Sequence, residues 1–306
     1  RAGASGAAAC GPDRGVGHPA WMARRVLRPS RMAFVSSPGP SVHYTDHGGS
    51  GQPVVLLHAM GVSSRCWFDL PGRLARRDPA YRVVTMDNRG AGQSDKPMGL
   101  YRMAELADDV RRVMDASGLD SAYVAGLSLG GMIAQELALQ CPERVRGLLL
   151  VSTAPGMPTG GLPRREAVTT LLSVPFYDRS KPPEPLFRLI FSRKDTPRGE
   201  ELLAGWEDVL REEPIDPIGF FGQVTAAIGH STGARLRTLR CPTVILAGDE
   251  DVLTPIEGAR YMAEQIPGAV LHVMTEMGHG IPMADPQAIE RGLDELIALP
   301  VGTSRG

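Results

Sequence analysis

The sequence predicts an α/β fold in which a mostly parallel β-sheet carries helices on both faces. From Met32 onward, short apolar runs typical of buried strands alternate with segments that have helical periodicity. Each crossover between parallel strands needs a connection about as long as a helix, so this alternation favours a parallel sheet. The run Val54–Leu57 is apolar at four consecutive positions, as expected for a central strand buried on both faces.

The individual elements follow from the same periodicity and from turn signals such as "HGGSGQ", which separates the first two strands. We predict strands at 42–46, 54–58, 82–86, 122–125, 147–152, 243–247 and 270–274. We predict helices around 67–77, over 103–117, directly after Ser128, at 256–265 and at 286–299.

Two segments stand apart from this core, which we place at 32–154 and 241–300. Residues 1–31 contain six arginines and one acidic residue, and have no clear periodicity. We expect a disordered leader, although an Arg-rich, acid-poor segment also fits organelle targeting. Residues 155–240 contain ten prolines and many of the aromatic residues. An unstructured loop of that length is improbable in a compact domain, so we expect a helical cap, or lid, there.

Composition excludes several classes of function. The net charge of −1 provides no electrostatic attraction to nucleic acid or acidic lipid, and no apolar run reaches the roughly 18 residues of a membrane span. The four cysteines are far apart and lack C-x-x-C spacing, which argues against zinc and against a disulfide framework. We therefore expect a cytoplasmic protein that acts on a small molecule; the sequence leaves its oligomeric state open.

The stretch "AYVAGLSLGGMIAQELALQ" contains the candidate nucleophile. A buried strand ends here and a packed helix begins, and Ser128 lies between Gly126 and Gly130 in a G-x-S-x-G turn. Glycines at those positions remove side chains that would collide in a sharp bend, and the following helix directs free N–H groups towards the serine. An ordinary glycine turn is the alternative, but the strand and helix on either side favour a nucleophile. The spacing is not the G-x-G-x-x-G of a dinucleotide site.

A base and an acid follow in the chain order that this architecture uses. His279 lies in "MGHGIP" after the 270–274 strand, and an acidic cluster in "AGDEDVLTP" follows the 243–247 strand. The cluster offers Asp249, Glu250 and Asp251. We favour Asp251, which lies further from the strand, over the alternative Asp249, because an aspartate at position 249 could instead shape the turn.

Two backbone amides are candidates for an oxyanion hole. One is the N–H of Leu129, the residue after the serine, and the other is the N–H of Met60 in the loop after the 54–58 strand. His58 also lies in that region, but a histidine that ends a buried strand is more often structural, so we assign it no catalytic role.

These stretches together resemble the α/β-hydrolase fold family over about Val42 to Leu299. The matching motifs are "VVLLHAMG", "MDNRGAGQSDKP", "GLSLGGMIAQELAL", "PERVRGLLLVST", "CPTVILAGDEDVLTP" and "MGHGIPMADP". The resemblance implies that the aspartate of G-x-x-D-x-x-x-P, here Asp251, is the acid, and that the turn beginning at Asp87 is structural. Ala59 stands where most relatives have glycine, which is similar to some enol-lactone hydrolases and favours lactones or small esters.

The sequence therefore predicts a carboxylic ester or lactone hydrolase with a Ser128–His279–Asp251 triad and with amides of Met60 and Leu129 as oxyanion donors. No metal or organic cofactor is implied. The same triad could hydrolyse a carbon–carbon bond or an amide, or carry out cofactor-free perhydrolysis. A ligand receptor with negligible turnover is a further alternative.

Overall fold

The computed structural model describes residues 31–37, 39–161, 163–176, 184–192, 207 and 209–300. The expected leader lies outside the described residues except for Arg31, which belongs to the first strand and corrects the expected boundary by one residue. That strand was not predicted. It lies at the edge of the sheet and is mostly exposed, although Met32–Val35 is apolar at four consecutive positions.

The sheet has eight strands in the described part of the chain, in the order β1-β2-β4-β3-β5-β6-β7-β8. Only the β1–β2 and β2–β4 pairs are antiparallel, so the predicted mostly parallel sheet is confirmed. The strand bounds are β1 Arg31–Val35, β2 Val42–Gly48, β3 Pro53–Leu57, β4 Arg82–Met86, β5 Ala122–Leu127, β6 Val145–Val151, β7 Thr243–Gly248 and β8 Val270–Met274.

Helices cover both faces of this sheet. Their bounds are α1 Leu70–Arg76, α2 Met103–Ala116, α3 Leu129–Gln140, α4 Arg165–Ser173, α5 Glu184–Ile190, α6 Pro217–Ile228, α7 Ile256–Gln265, α8 Ile281–Ala284 and α9 Pro286–Ala298. Successive strand residues point to opposite faces. Val55 and Leu57 of β3 accordingly join one core cluster with α2, α3 and α7, whereas Val54 and Leu56 join another with α1 and α9. All four are fully buried, as the apolar run predicts.

The strand order reverses at β3, and this reversal determines where a crevice forms at the edge of the sheet. The chain adds β4 on one side of β3 and then places β5 on the other side. In open α/β sheets, a crevice forms outside the carboxyl ends of the strands at such a switch point. The loop that follows β3 and the turn that follows β5 both open into that crevice.

The segment between β6 and β7, expected to be a cap, contains α4, α5 and α6 in its described parts. Helix α6 packs closely on the core, because a Cβ on its Gly219 would lie 2.1 Å from the carbonyl oxygen of Gly90. Among the described residues, no helix has the length and apolarity that crossing a membrane requires.

Candidate active site

Ser128 connects β5 to α3 in a strained backbone conformation. Its φ of 55° and ψ of −115° lie where residues other than glycine are rare. The Ser128 N–H donates to the carbonyl oxygen of Val151 at 2.9 Å, and the Thr153 hydroxyl donates to the Ser128 carbonyl oxygen at 2.7 Å. Contacts with β6 and the residues that follow it therefore hold the serine in its bend.

The two glycines around the serine are required by close backbone contacts. A Cβ built on Gly126 would lie 2.3 Å from the carbonyl oxygen of Gly130, and one built on Gly130 would lie 2.2 Å from that of Leu57. Both distances are far below van der Waals contact. The G-x-S-x-G pattern thus reflects the sharpness of the turn that presents Ser128.

His279 and Asp251 are in direct contact although 27 residues separate them in the chain. His279 Nδ1 lies 2.7 Å from Asp251 Oδ2, and both side chains are buried. An ionised carboxylate only accepts hydrogen bonds, so Nδ1 carries the proton and donates it. In the neutral imidazole, Nε2 is then unprotonated, and within the described residues it makes no hydrogen bond.

The Asp251 carboxylate is well supplied with donors. Oδ1 accepts from the N–H groups of Leu253 at 2.8 Å and Thr254 at 2.9 Å, and Oδ2 accepts from the Thr254 hydroxyl at 2.7 Å. Burial by itself raises the pKa of Asp251, but the charge and hydrogen bond of His279 and the Thr254 bonds together lower it below its usual value. Asp251 is therefore ionised at neutral pH.

The alternative acids occupy different positions. Asp249 is exposed, and its Oδ1 accepts from the N–H of Glu276 at 2.7 Å, which joins the loops that follow β7 and β8. Glu250 is exposed as well. Among the three candidates, only Asp251 contacts the histidine within the described residues.

Met60 and Leu129 line the same cavity as Ser128. Neither N–H donates a hydrogen bond within the described part of the chain. Leu129 is the first residue of α3, so its N–H is one of the groups that a helix leaves unpaired at its N-terminus. Both amides are thus available to an oxygen bound beside the serine.

The ring of His58 connects two loops through hydrogen bonds to backbone groups. Its Nε2 accepts from the N–H of Asn88 at 2.8 Å, and its Nδ1 lies 2.7 Å from the carbonyl oxygen of Ala59. Burial lowers the pKa of this ring, which stays neutral. The Asp87 carboxylate likewise accepts from the N–H groups of Ser64 and Gln93, so it joins two loops.

A cavity of about 350 Å³ contains these groups. Ser128, His279 and both amide-bearing residues line it, and most of the remaining wall is apolar. No hydrogen bond joins Ser128 to His279 within the described residues. Such catalytic contacts are often long in ligand-free enzymes and shorten when substrate is bound.

Comparison with known proteins identifies the family. The sequence model of the α/β-hydrolase fold matches residues 52–286. The chain belongs to this family.

Two curated relatives cover most of the chain. It is 29% identical over 272 residues to the "Putative carbamate hydrolase RutD" of Azorhizobium caulinodans, covering 86% of this chain and 97% of that protein. It is 27% identical over 264 residues to the 2-hydroxymuconate semialdehyde hydrolase of Pseudomonas putida, covering 82% and 88%.

A solved structure of similar extent is Est816, described as an N-acyl homoserine lactone degrading enzyme. It is 29% identical to this α/β hydrolase with a TM-score of 0.73, covering 86% of this chain and 99% of that one. The comparisons thus support hydrolase chemistry, while the relatives are named for different substrates.

Sequence reasoning missed two supporting side chains. Thr254 binds the acid through both its hydroxyl and its amide, and its position three residues after Asp251 before Pro255 was a usable signal. Gln223 of α6 contacts the loop after β3, since its Oε1 accepts from the N–H of Gly61 at 2.7 Å. No local pattern could have paired residues 162 positions apart.

Proposed function

We propose that this protein is a serine hydrolase that cleaves a carboxylic ester or lactone through an acyl-enzyme. The observation that carries the proposal is the 2.7 Å contact between Asp251 and His279 at a cavity that is also lined by Ser128. The neighbouring serine backbone has the strain expected of a nucleophile elbow.

The mechanism follows from the orientation of the imidazole. His279 Nε2 takes the proton of the Ser128 hydroxyl as Oγ attacks the substrate carbonyl, and the C–O bond to the leaving alcohol breaks when His279 returns that proton to it. Water then attacks the acyl-enzyme while His279 takes its proton, and the acid is released. Asp251 fixes the tautomer and stabilises the imidazolium that forms in each half-reaction.

Each tetrahedral intermediate carries a negative oxygen, for which the free N–H groups of Met60 and Leu129 are the proposed donors. The N-terminal end of α3 adds its positive dipole at the same place. Because these donors are fixed before substrate binds, no reorganisation is needed when charge develops. The mechanism requires neither a metal nor an organic cofactor.

Carbon–carbon bond hydrolysis is the second candidate, since the Pseudomonas putida relative is named for a semialdehyde substrate. Amide hydrolysis, perhydrolysis and ligand reception use the same fold and remain alternatives. Est816, named for lactone degradation, favours the ester and lactone class. Ala59 in the loop after β3 favours the same class.

The remaining expectations are also proposals. We propose that residues 155–240 form a cap over the cavity, because α4 and α6 contribute part of its wall. We also propose a cytoplasmic location, for which the free thiols of Cys66, Cys141 and Cys241 are suited to a reducing compartment.

The test is a panel of p-nitrophenyl esters, lactones and dienone acids assayed with the wild-type protein and with Ser128→Ala. We expect ester or lactone turnover in the wild type, and a fall of at least about a thousandfold in the variant. Fluorophosphonate should label the wild type and leave Ser128→Ala unlabelled. Retention of wild-type ester hydrolysis by the variant would refute the proposal.

A further inference from the structure

We infer that the cavity selects an uncharged substrate with an apolar acyl chain and rejects substrates that carry a carboxylate. This inference rests on the proposed ester or lactone hydrolysis and narrows it to one chemical class. It concerns the walls of the cavity, whereas the proposed mechanism concerns the reacting groups.

The cavity has no charged side chain among its described lining residues. Its hydroxyl and imidazole groups belong to Ser128, Thr254 and His279, all of which are parts of the reaction centre or its support. No arginine or lysine of the described lining could therefore pair with a substrate carboxylate.

Part of the cavity wall consists of buried apolar groups. Cys66 and Phe220 are each 1% exposed and Met283 is 5% exposed, and all three line the cavity. Burial raises the pKa of the Cys66 thiol to about 12, so this group is also uncharged. An acyl chain packed against this part of the wall would meet only apolar surface and a neutral thiol.

Other lining residues are exposed to solvent. These residues are equally apolar: Met157, Val168, Leu172 and Ile228. A charged substrate group that enters the cavity would therefore lose water without finding a described counter-ion.

Burial of an unpaired carboxylate is strongly unfavourable, because its hydration is lost and no ion pair replaces it. The charged member of the triad increases this penalty, since Asp251 is ionised behind His279 and repels a second carboxylate. Burial of a methylene chain in the same cavity is favourable. The same walls thus favour a neutral chain and disfavour an anionic one.

The size of the cavity sets the scale of this chain. A volume of about 350 Å³ is at the lower end of the range for small-molecule sites. We therefore expect an acyl chain of medium length with a small alcohol or a lactone ring.

The decisive experiment compares two esters of equal chain length at neutral pH. Mono-p-nitrophenyl adipate ends in a carboxylate, and its methyl ester, methyl p-nitrophenyl adipate, ends in a neutral group. We expect kcat/KM for the neutral ester to exceed that for the anionic ester by about a hundredfold or more. Equal values of kcat/KM would overturn the inference.

A pair of arginine variants tests whether the preference arises in the cavity. Leu172 lines the cavity and is 38% exposed, so an arginine there can place its guanidinium near the bound chain. Met98 is 85% exposed and outside the lining. We expect Leu172→Arg to raise kcat/KM for the anionic ester about tenfold, with no such gain in Met98→Arg. An equal effect of both variants would contradict the inference.

Binding measurements on inactive variants test the preference for a neutral substrate independently of the proposed hydrolase activity. Calorimetry on Ser128→Ala measures the affinity for both esters without turnover. Ser128→Gly provides a second protein, since glycine tolerates the positive φ at this position. Preferential binding of the neutral ester supports the inference even if the wild type hydrolyses neither ester. Equal binding of the two overturns it even if the wild type is an active esterase.

Discussion

The side-chain oxygen of Gln223 accepts a hydrogen bond from the N–H of Gly61 at 2.7 Å, which links helix α6 to the loop that carries the Met60 amide. The other end of the same side chain donates to the carbonyl oxygen of Arg89 at 2.8 Å. Gln223 is fully buried. Gly61 has a φ of 76°, which is outside the helical and extended regions, so its N–H forms no hydrogen bond of a helix or sheet. Gln223 therefore holds the proposed oxyanion loop from the cap side.

Replacing Gln223 with methionine should remove both bonds while preserving size. Because a buried N–H is left unpaired, we expect a loss of about 1–3 kcal/mol in the free energy of unfolding. We also expect a fall of about tenfold in kcat with little change in KM, because a displaced Met60 amide weakens binding of the transition state. Urea denaturation and ester kinetics measure the two effects.

Gln223→Glu distinguishes positioning from general destabilisation. A protonated glutamic acid can accept from Gly61 and donate to Arg89 as glutamine does, whereas its ionised form cannot donate. The kcat of this variant relative to the wild type should therefore rise as the pH is lowered from about 8 to about 6. Gln140→Met, at an amide bonded to Glu136 instead of the loop, should leave kcat unchanged. A pH-independent ratio would indicate only a structural role.

Asp251→Asn should lower kcat by about three to four orders of magnitude while the protein stays folded. Asparagine can present an N–H to His279 Nδ1, which favours the tautomer with the proton on Nε2 and leaves no base for Ser128. Asp249→Asn is the matched control, because that side chain contacts the N–H of Glu276. We expect its kcat to stay within about threefold of the wild type, since the loop contact is distant from the reaction. Similar losses in the two variants would contradict the assignment of the acid.

Gly130→Ala should destabilise the protein and lower kcat together. The new Cβ would lie 2.2 Å from the carbonyl oxygen of Leu57, so β3 or the first turn of α3 must shift. We expect a loss of about 3 kcal/mol or more in the free energy of unfolding, as for other substitutions that force overpacking.

Gly229→Ala is the matched control for this change, because a Cβ built there would lie 3.4 Å from the Thr225 carbonyl oxygen, which is ordinary van der Waals contact. Its φ of −77° also suits alanine, so we expect a change within about 0.5 kcal/mol. Thermal denaturation of both variants is sufficient, and equal stability would refute the steric account of the elbow.

Asp87 should make the protein sensitive to acid. Burial by itself raises its pKa, but hydrogen bonds from His43 and two loop N–H groups lower the pKa well below its usual range. Because the pKa of Asp87 is lower in the folded than in the unfolded protein, its ionisation stabilises the fold fully above the unfolded-state pKa of about 4. This stabilisation is lost as the pH falls from about 4 towards the folded-state pKa.

Asp87→Asn should therefore cost about 3 kcal/mol at pH 7 and progressively less below about pH 4, as measured by urea denaturation across that range. The exposed carboxylate of Asp69 provides the control, and Asp69→Asn should change stability by less than about 0.5 kcal/mol at every pH. A cost for Asp87→Asn that did not shrink in acid would rule out ionisation as its source.

Elements with strong local patterns were predicted closely. The strand at 82–86, the strand at 270–274 and the helix at 256–265 have the bounds that were predicted. Strand β1 was missed although Met32–Val35 is an apolar run of four residues; the strand lies exposed at the edge of the sheet, where it pairs with β2. A run this short does not by itself distinguish an edge strand from an irregular segment.

The sequence by itself determined seven of the eight described strands, five of the helices that cover them, the turn that presents Ser128, and the chain order of serine, acid and histidine. These features depend on local apolar spacing and on glycines whose requirement is steric. Only the tertiary structure decided that Asp251 and not Asp249 meets His279, that Gln223 supports the Gly61 loop, and that the described cavity wall is uncharged. Contacts between residues far apart in the chain depend on how strands and loops pack in three dimensions, which no short stretch of sequence encodes.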